Sequence, residues 1–574
     1  MHYNLFKSRN RAFLEEMTNR TEDMPEVYQA VNTMQNTAFK INTKVYQVAN
    51  TIFGKGSTVG KLPSTEDTPL PPKPKDIATN AETRKQWKQK ASIVHEYNAT
   101  LKSKRLLITK LLGVAETYEN EPEIYFPMQY DFRGRCYCVP MFLNYQGNDL
   151  AKSLLLFARG KPLKTNDDLR SLAIHGANTY GEDKRPLEDR AKWVEENEEA
   201  IIASAKDPHN HYEFWAKADE PYQFLAFCFE WEEFKASGGE EGFITNFPCY
   251  SDCTNSGLQI FSGMLRDETG GHATNLIATE KPQDVYAEVA NKTLSLLEEM
   301  PDTIYKKMWL EYGITRKTTK KVTMCIVYGL TQYSCRPYIE EHLKEMEEDK
   351  IKQCPFPKLK DGSGIPSITQ ATNYLSKLVW KAIGEVIVSA KEAMLWLQTV
   401  SRLVSTGDPK TKQSIPITFT TPTGFIVQMN YMEMKKQRVW TKMGESMVQK
   451  PVTIQFETKR IDSRKVANAI SPCFIHAIDA SMLQKAVCLA SNNGINSFAC
   501  IHDSFGVLAP DVEKMKACVR QSFVEIFDGN NLLEDFCKEI TLQVAKEKRH
   551  LIPPLPKLRN LNIKGVLDSD YFCS

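Results

Sequence analysis

The spacing of apolar positions changes period several times along the chain, and each change marks an expected element. Helical spacing comes first, over residues 25–53 and again from 81 to about 118. Between these stretches stand Pro63, Pro69, Pro71, Pro72 and Pro74, which cannot continue a helix, so the pair reads as a long helical hairpin. Short strands and helices are mixed over 121–246, and helical spacing dominates 268–400, with a Gly/Pro-rich loop near 354–366. Strand signals occupy 415–455, including Ile417-Thr-Phe-Thr-Thr with turn residues Pro422 and Gly424. The remainder alternates helix and strand, and a tail with Pro553, Pro554 and Pro556 ends in Tyr571 and Phe572. A chain of 574 residues is expected to form two to four domains or subdomains around more than one core.

Composition narrows the class. The chain is 42% hydrophobic and 25% charged, as in soluble globular proteins. No run of 18 apolar residues is found, so no membrane span or membrane partner is expected. The first 20 residues lack an apolar h-region and carry Glu15 and Glu16, which argues against a secretory signal and against a transit peptide. A cytoplasmic setting is expected over a mitochondrial matrix. The 14 cysteines contain no CxxC pair, so reduced thiols are expected in place of zinc or disulfides. The net charge is only +2, but nucleic-acid binding depends on where charge sits. From Arg84 to Lys110 there are eight Lys or Arg and one acid, Glu96. That stretch reads either as a solvated helix face or as a phosphate-contacting arm.

Three segments carry candidate chemistry. In Phe247-Pro-Cys-Tyr-Ser-Asp252-Cys-Thr-Asn-Ser-Gly257 an apolar run ends in an aspartate before a small-residue turn and an amphipathic helix. Asp252 is then at a strand end facing a cleft, or it merely caps the helix. In Arg316-Lys-Thr-Thr-Lys320, continuing to Tyr328-Gly329, the two cations share one helical face. Tyr328 follows eight residues later, about 12 Å along a helix axis, near the span from a triphosphate to its base. The plainer reading is a basic surface helix with a core tyrosine. In Ser497-Phe-Ala-Cys-Ile-His502-Asp503-Ser504-Phe-Gly506 two apolar runs flank a turn with Asp503 at its tip. A fourth feature sets His476 and Asp479 on one helical face.

The order of these segments resembles motifs A, B and C of right-hand polymerases, and more narrowly the single-subunit RNA polymerases of bacteriophages and mitochondria. Further matches run along nearly the whole chain. They include Asp131-Phe-Arg133-Gly-Arg135, Gln146-Gly-Asn-Asp, His175-Gly-Ala-Asn178, Glu195-Glu-Asn197, Phe224-Leu-Ala-Phe-Cys-Phe-Glu230, Met264-Leu-Arg-Asp-Glu-Thr-Gly-Gly271 and Asn560-Leu-Asn.

The resemblance implies a mainly helical chain with an α+β palm in a palm, fingers and thumb arrangement. It divides the chain into a remnant of an N-terminal domain (1–30), a thumb hairpin (31–120), a first palm part (121–265), fingers (266–476), and a second palm part with a C-terminal foot (477–574). It implies that Asp252 and Asp503 bind two Mg²⁺ ions and that Arg316 and Lys320 hold the incoming triphosphate, with Lys192 helping. Tyr328 and Gly329 would gate the nucleotide site, Tyr286 would line it, and His476 would sense the 2′-hydroxyl. Arg133 and Arg135 would contact the template or hybrid. Residues 431–464 resemble a loop that reads promoter bases, with Arg438, Lys442 and Gln449 among its donors.

The partners implied are a DNA template, nascent RNA and ribonucleoside triphosphates. Gly257 stands where related DNA polymerases carry a bulky glutamate, and Ser504 where they usually carry Glu, which favours ribonucleotides. The main alternatives are a related DNA polymerase, an inactive nucleic-acid-binding relative and a two-metal nuclease. Complete phage enzymes carry a further N-terminal domain, so promoter opening is expected to need a second chain or a melting factor. Cys253, Ile260 and the terminal Tyr571-Phe-Cys-Ser574 depart from the pattern of relatives.

Overall fold

Two apolar segments far apart in sequence meet in one sheet. Pro248–Asp252 pairs antiparallel with Ser504–Leu508, which also pairs with Ala499–Ile501 and so forms the central strand. All five residues of the central strand are buried, so packing covers both of its faces. The turn between its two chain-adjacent strands holds only His502 and Asp503, and His502 adopts a left-handed φ of 52°. Asp503 therefore lies at a hairpin tip, as its flanking apolar runs predict.

A computed structural model of the chain describes residues 4–8, 10–239, 242–348, 351–357, 364–407, 415–442 and 449–574. Helices dominate, and the other described sheets are two-stranded. The long helix Ser463–Asn492 packs against Pro25–Gln35, Val388–Ser405 and Val512–Phe527. It contains a window of membrane-span length with mean hydropathy 1.3, but 83% of that window is buried inside the protein, so it is a core helix. The expectation of several cores is not met. Apolar side chains from Phe6 to Cys573 form one continuous cluster, with a small satellite of Ile174, Leu187 and Tyr571. The first 30 residues belong to it, since Phe6, Phe13, Met17 and Met24 are buried there.

Three further expectations change. The first predicted helix is broken into Pro25–Gln35 and Thr43–Gly54 by a strand, Phe39–Ile41. That strand pairs with Leu155–Phe157, and Asn42 then caps the second helix by accepting from the Val45 amide. The long helix Ala81–Thr117 forms as expected, with Asn80 as its N-cap. Its partner in the hairpin is thus two short helices.

The 415–455 strand signals resolve into a hairpin, Ile417–Thr420 with Ile426–Met429, and a separate ribbon, Met432–Lys442 with Gln449–Ile461. Residues 443–448 of the expected loop and 358–363 of the Gly/Pro-rich segment lie outside the described residues.

The third change is a disulfide, Cys253–Cys573, across 320 residues of sequence. No local spacing announces it; Cys253 and Cys573 meet because the tail forms an antiparallel bridge beside Asp252. The other twelve cysteines form no disulfide among the described residues. Denatured, unreduced protein should therefore titrate 12 thiols, and 14 after reduction. Fourteen thiols without reductant would remove the bridge.

Glu230 is buried with its Oε1 unpartnered, and burial pushes its carboxyl up to about 7 from 4.5. The folded state thus keeps a proton that the unfolded chain loses. This group's stabilising protonation is complete below pH 4.5 and is lost as pH rises through about 7. Glu230→Gln should be nearly neutral at pH 5 and stabilise by up to about 3 kcal/mol at pH 8. Urea unfolding at the two pH values measures the difference.

Candidate active site

The strand register sets Asp252 directly opposite Ser504, one residue from Asp503. The Cys253 amide donates to the Asp503 carbonyl at 3.0 Å, fastening the two strand ends together. Asp252 does not cap the following helix. Asn255 does, at φ 60°, with its Oδ1 accepting from the Leu258 amide. The Asp252 side chain is therefore left exposed at the strand end.

Asp503 Oδ2 accepts from the Ser256 hydroxyl at 3.0 Å. Loss of hydration, then the fields of Asp479 and Asp252, push its carboxyl up to about 7, against the opposing pull of Arg135 and Ser256. Two adjacent carboxylates with so little compensation suit a hard divalent cation. Among the described residues no set of three or more His, Cys, Asp or Glu side chains completes a metal site. Further ligands would have to come from backbone, water or substrate.

A second wall faces this pair. The helix Arg316–Ile326 carries both expected cations. Arg316 Nε is ion-paired with Asp284, and its guanidinium lies 5.1 Å from the centre of the Tyr286 ring. Tyr286 in turn accepts from Asn255 Nδ2 at 3.1 Å, and its carbonyl accepts from Thr319 Oγ1 at 2.9 Å. Asn255 and Tyr286 thus join the Asp252 strand end to the cationic helix.

The Lys320 ammonium has no hydrogen-bond or ion-pair partner among the described residues. Desolvation and the neighbouring Arg316 and Lys184 charges lower its pKa. Lys192 is exposed on the helix Leu187–Glu196 and is not among the groups acting on Lys320.

The helix stops at Ile326, so Tyr328 is not its continuation, as the 12 Å helical estimate assumes. Val327, Tyr328 and Gly329 form the turn, with the Gly329 amide bonded to the Ile326 carbonyl at 3.0 Å. Gly329 takes φ 84°, and a Cβ there would stand 2.7 Å from the Asn468 carbonyl oxygen, so only glycine fits. The Tyr328 ring lies 4.8 Å from the His476 ring, tilted by 37°. Gly257 packs under this turn. An added Cβ would meet Val327 Cγ2 at 2.8 Å and approach the Tyr328 hydroxyl to 3.5 Å.

Arg133 and Arg135 are expected to contact nucleic acid, but both are engaged within the site. Arg135 is ion-paired with the buried Asp479. Arg133 binds Asp131 and reaches His476 Nδ1 at 2.8 Å. Burial and the Arg135, Arg133 and His502 charges hold His476 far below its usual pKa. Asp479, Asp131, Ser256 and Asn255 were not singled out as site residues from the sequence. Only the helical spacing of His476 and Asp479 hinted at one of them.

Arg438 and Lys442 are exposed on one strand of the two-stranded ribbon, and Gln449 on the other. Lys442 pairs with Gln449 and Arg438 with Thr453. By the period of two, Lys436, Arg438, Trp440 and Lys442 share one face with Gln449.

A family model described as DNA-dependent RNA polymerase matches residues 161–552. The chain is 36% identical to the "DNA-directed RNA polymerase" of Enterobacteria phage T3, over 96% of this chain and 65% of that protein. It is 36% identical to the "T7 RNA polymerase" of Escherichia phage T7 with the same coverages. It is 31% identical to "DNA-directed RNA polymerase 1, mitochondrial" of Arabidopsis thaliana, over 96% of this chain and 54% of the relative. The chain thus spans under two thirds of the length of these relatives. Together with a strand register that sets the two motif aspartates at neighbouring strand ends, these matches show that the chain belongs to the family of single-subunit, phage- and mitochondrial-type DNA-dependent RNA polymerases.

Proposed function

We propose that this chain performs DNA-templated RNA synthesis, transferring nucleotides from ribonucleoside triphosphates to an RNA 3′-hydroxyl and releasing pyrophosphate. The observation that carries this reading is the pairing that sets Asp252 beside Asp503, with Arg316 and Lys320 on the facing helix. Asp252 and Asp503 would hold two Mg²⁺ ions, which fits their hard oxygen donors and their mutual repulsion. When bound, such ions lower the pKa of the attacking hydroxyl and neutralise charge on the leaving group.

The remaining roles fall to the chain's own side chains. The free Lys320 ammonium and the Tyr286-braced Arg316 bind and orient the triphosphate. Tyr328 and His476 line the sugar site, and Gly257 keeps bulk away from the Tyr328 hydroxyl, leaving room for a ribose. Arg135 keeps its charge near Asp503 while its guanidinium neutralises Asp479.

In this reading the helix Ala81–Thr117 belongs to a thumb, and the helices between Asp267 and His476 form the fingers. The three-stranded sheet is the palm. The exposed ribbon reads duplex DNA with its cationic face; two-stranded ribbons of this kind fit a major groove. The setting would be the cytoplasm of a phage host.

Two experiments test the proposal. In primer extension with Mg²⁺, ribonucleotides should be used faster than deoxyribonucleotides. Asp503→Asn should cut extension at least 10²-fold while template binding persists; undiminished extension would remove Asp503 from the chemistry. For the ribbon, Arg438→Ala should weaken binding to the preferred duplex by about 1–3 kcal/mol and relax preference at one base position. A uniform loss across sequences, with a shallower salt dependence, would reassign Arg438 to phosphate.

A further inference from the structure

The turn that joins Met128–Tyr130 to Cys136–Cys138 is organised by one carboxylate. Asp131 Oδ1 accepts from the Arg133 amide at 2.9 Å and the Arg135 amide at 3.2 Å. Asp131 Oδ2 takes Arg133 Nε at 2.9 Å and Nη2 at 2.6 Å, a bidentate clasp. Nη2 also donates to the Tyr137 hydroxyl at 3.2 Å. With these donors spent, Nη1 is left to reach across to His476 Nδ1 at 2.8 Å.

A guanidinium can only donate, so the nitrogen it faces must be unprotonated. The single ring proton of His476 is then on Nε2. That N–H donates to no described residue, although the ring is half-buried against Tyr328. An unpartnered donor in such a position is suited to an oxygen acceptor on a bound molecule.

We propose that Asp131 is a positioning residue that, through Arg133, fixes His476 in the Nε2–H tautomer and so sets its donor toward the ribose 2′-hydroxyl. Asp131 itself touches no substrate. A plain structural role would be satisfied by its two bonds to the backbone amides. The second oxygen, clasped on Arg133, has no such duty. Without it the guanidinium is free to turn away, and His476 can carry its proton on either nitrogen. The inference rests on the reading of His476 as the sensor of the sugar hydroxyl.

The test uses Asp131→Asn in the full chain. Asparagine keeps Oδ1 for the two backbone amides but places an NH₂ group, or no charge, against Arg133. Discrimination between ribo- and deoxyribonucleotides should fall roughly tenfold, carried by a higher KM for the ribonucleotide, as expected for one lost hydrogen bond. His476→Ala should fall as far, and the double variant no further. Asp131→Glu should recover part of the loss. Additive effects in the double variant, or unchanged discrimination in Asp131→Asn beside a loss in His476→Ala, would overturn the proposal.

A spectroscopic readout stands apart from activity. With ¹⁵N-labelled histidine rings, and His476→Ala to assign the signal, Nε2 should be the protonated nitrogen in the parent. The tautomers should mix in Asp131→Asn. An Nδ1-protonated parent ring refutes the relay even if the chain makes RNA. An Nε2-protonated parent that mixes in the variant, without any sugar discrimination, would instead keep the relay and sink the sugar-sensing reading.

Discussion

Repulsion among three carboxylates governs the centre of this molecule. Burial, and then the fields of Asp479 and Asp252, push the Asp503 carboxyl up. One arginine, Arg135, offsets part of this by pairing with Asp479 while its field reaches Asp503. The sheet register and the helix Ser463–Asn492 hold the acids together in spite of the cost. Such a cluster is unfavourable for the protein alone and favourable with a divalent cation, which is how a fold invests stability in a binding site.

The arrangement is buttressed from three directions. Beneath, the 463–492 helix brings Asp479 and His476 from one face. To one side, Asn255 and Tyr286 brace the helix Arg316–Ile326 through a hydrogen bond and a ring contact. Behind, the C-terminal tail closes on the strand Pro248–Asp252. The Ser574 amide donates to the Asp252 carbonyl, the Thr254 amide to the Phe572 carbonyl, and Gln259 Nε2 to that same carbonyl. Cys253 and Cys573 lie on this seam and join covalently.

Much of this was legible in sequence where the signal is local. Asp252 at a strand end, Asp503 at a hairpin tip, and Arg316 with Lys320 on one helix face all follow from periodicities of two and 3.6. What escaped depended on distant partners. The Phe39–Ile41 strand has a helical neighbourhood on both sides and becomes a strand only because Leu155–Phe157 offers its edge. Asp479 looks like a helix-face companion of His476 until Arg135, 344 residues earlier, arrives to pair with it.

The two arginines of Asp131-Phe-Arg133-Gly-Arg135 illustrate why motif residues need a structure before they receive roles. As bare cations they suit nucleic acid, and the pattern alone prefers that assignment. In the fold each is already bound to an acid: Arg133 to Asp131 beside it, Arg135 to Asp479 beneath the sheet. A guanidinium bound in this way keeps its geometry and its charge, while the pair it forms is close to neutral overall. Its remaining value lies in the donor it still aims, at His476 for one, and in the field it still projects, at Asp503 for the other. Within the fold the motif acts on the centre through the side chains it touches, His476 and Asp479. Gly134, at φ 88° with Phe425 packed 3.3 Å from where its Cβ would be, makes the tight turn that lets two arginines one residue apart serve different partners.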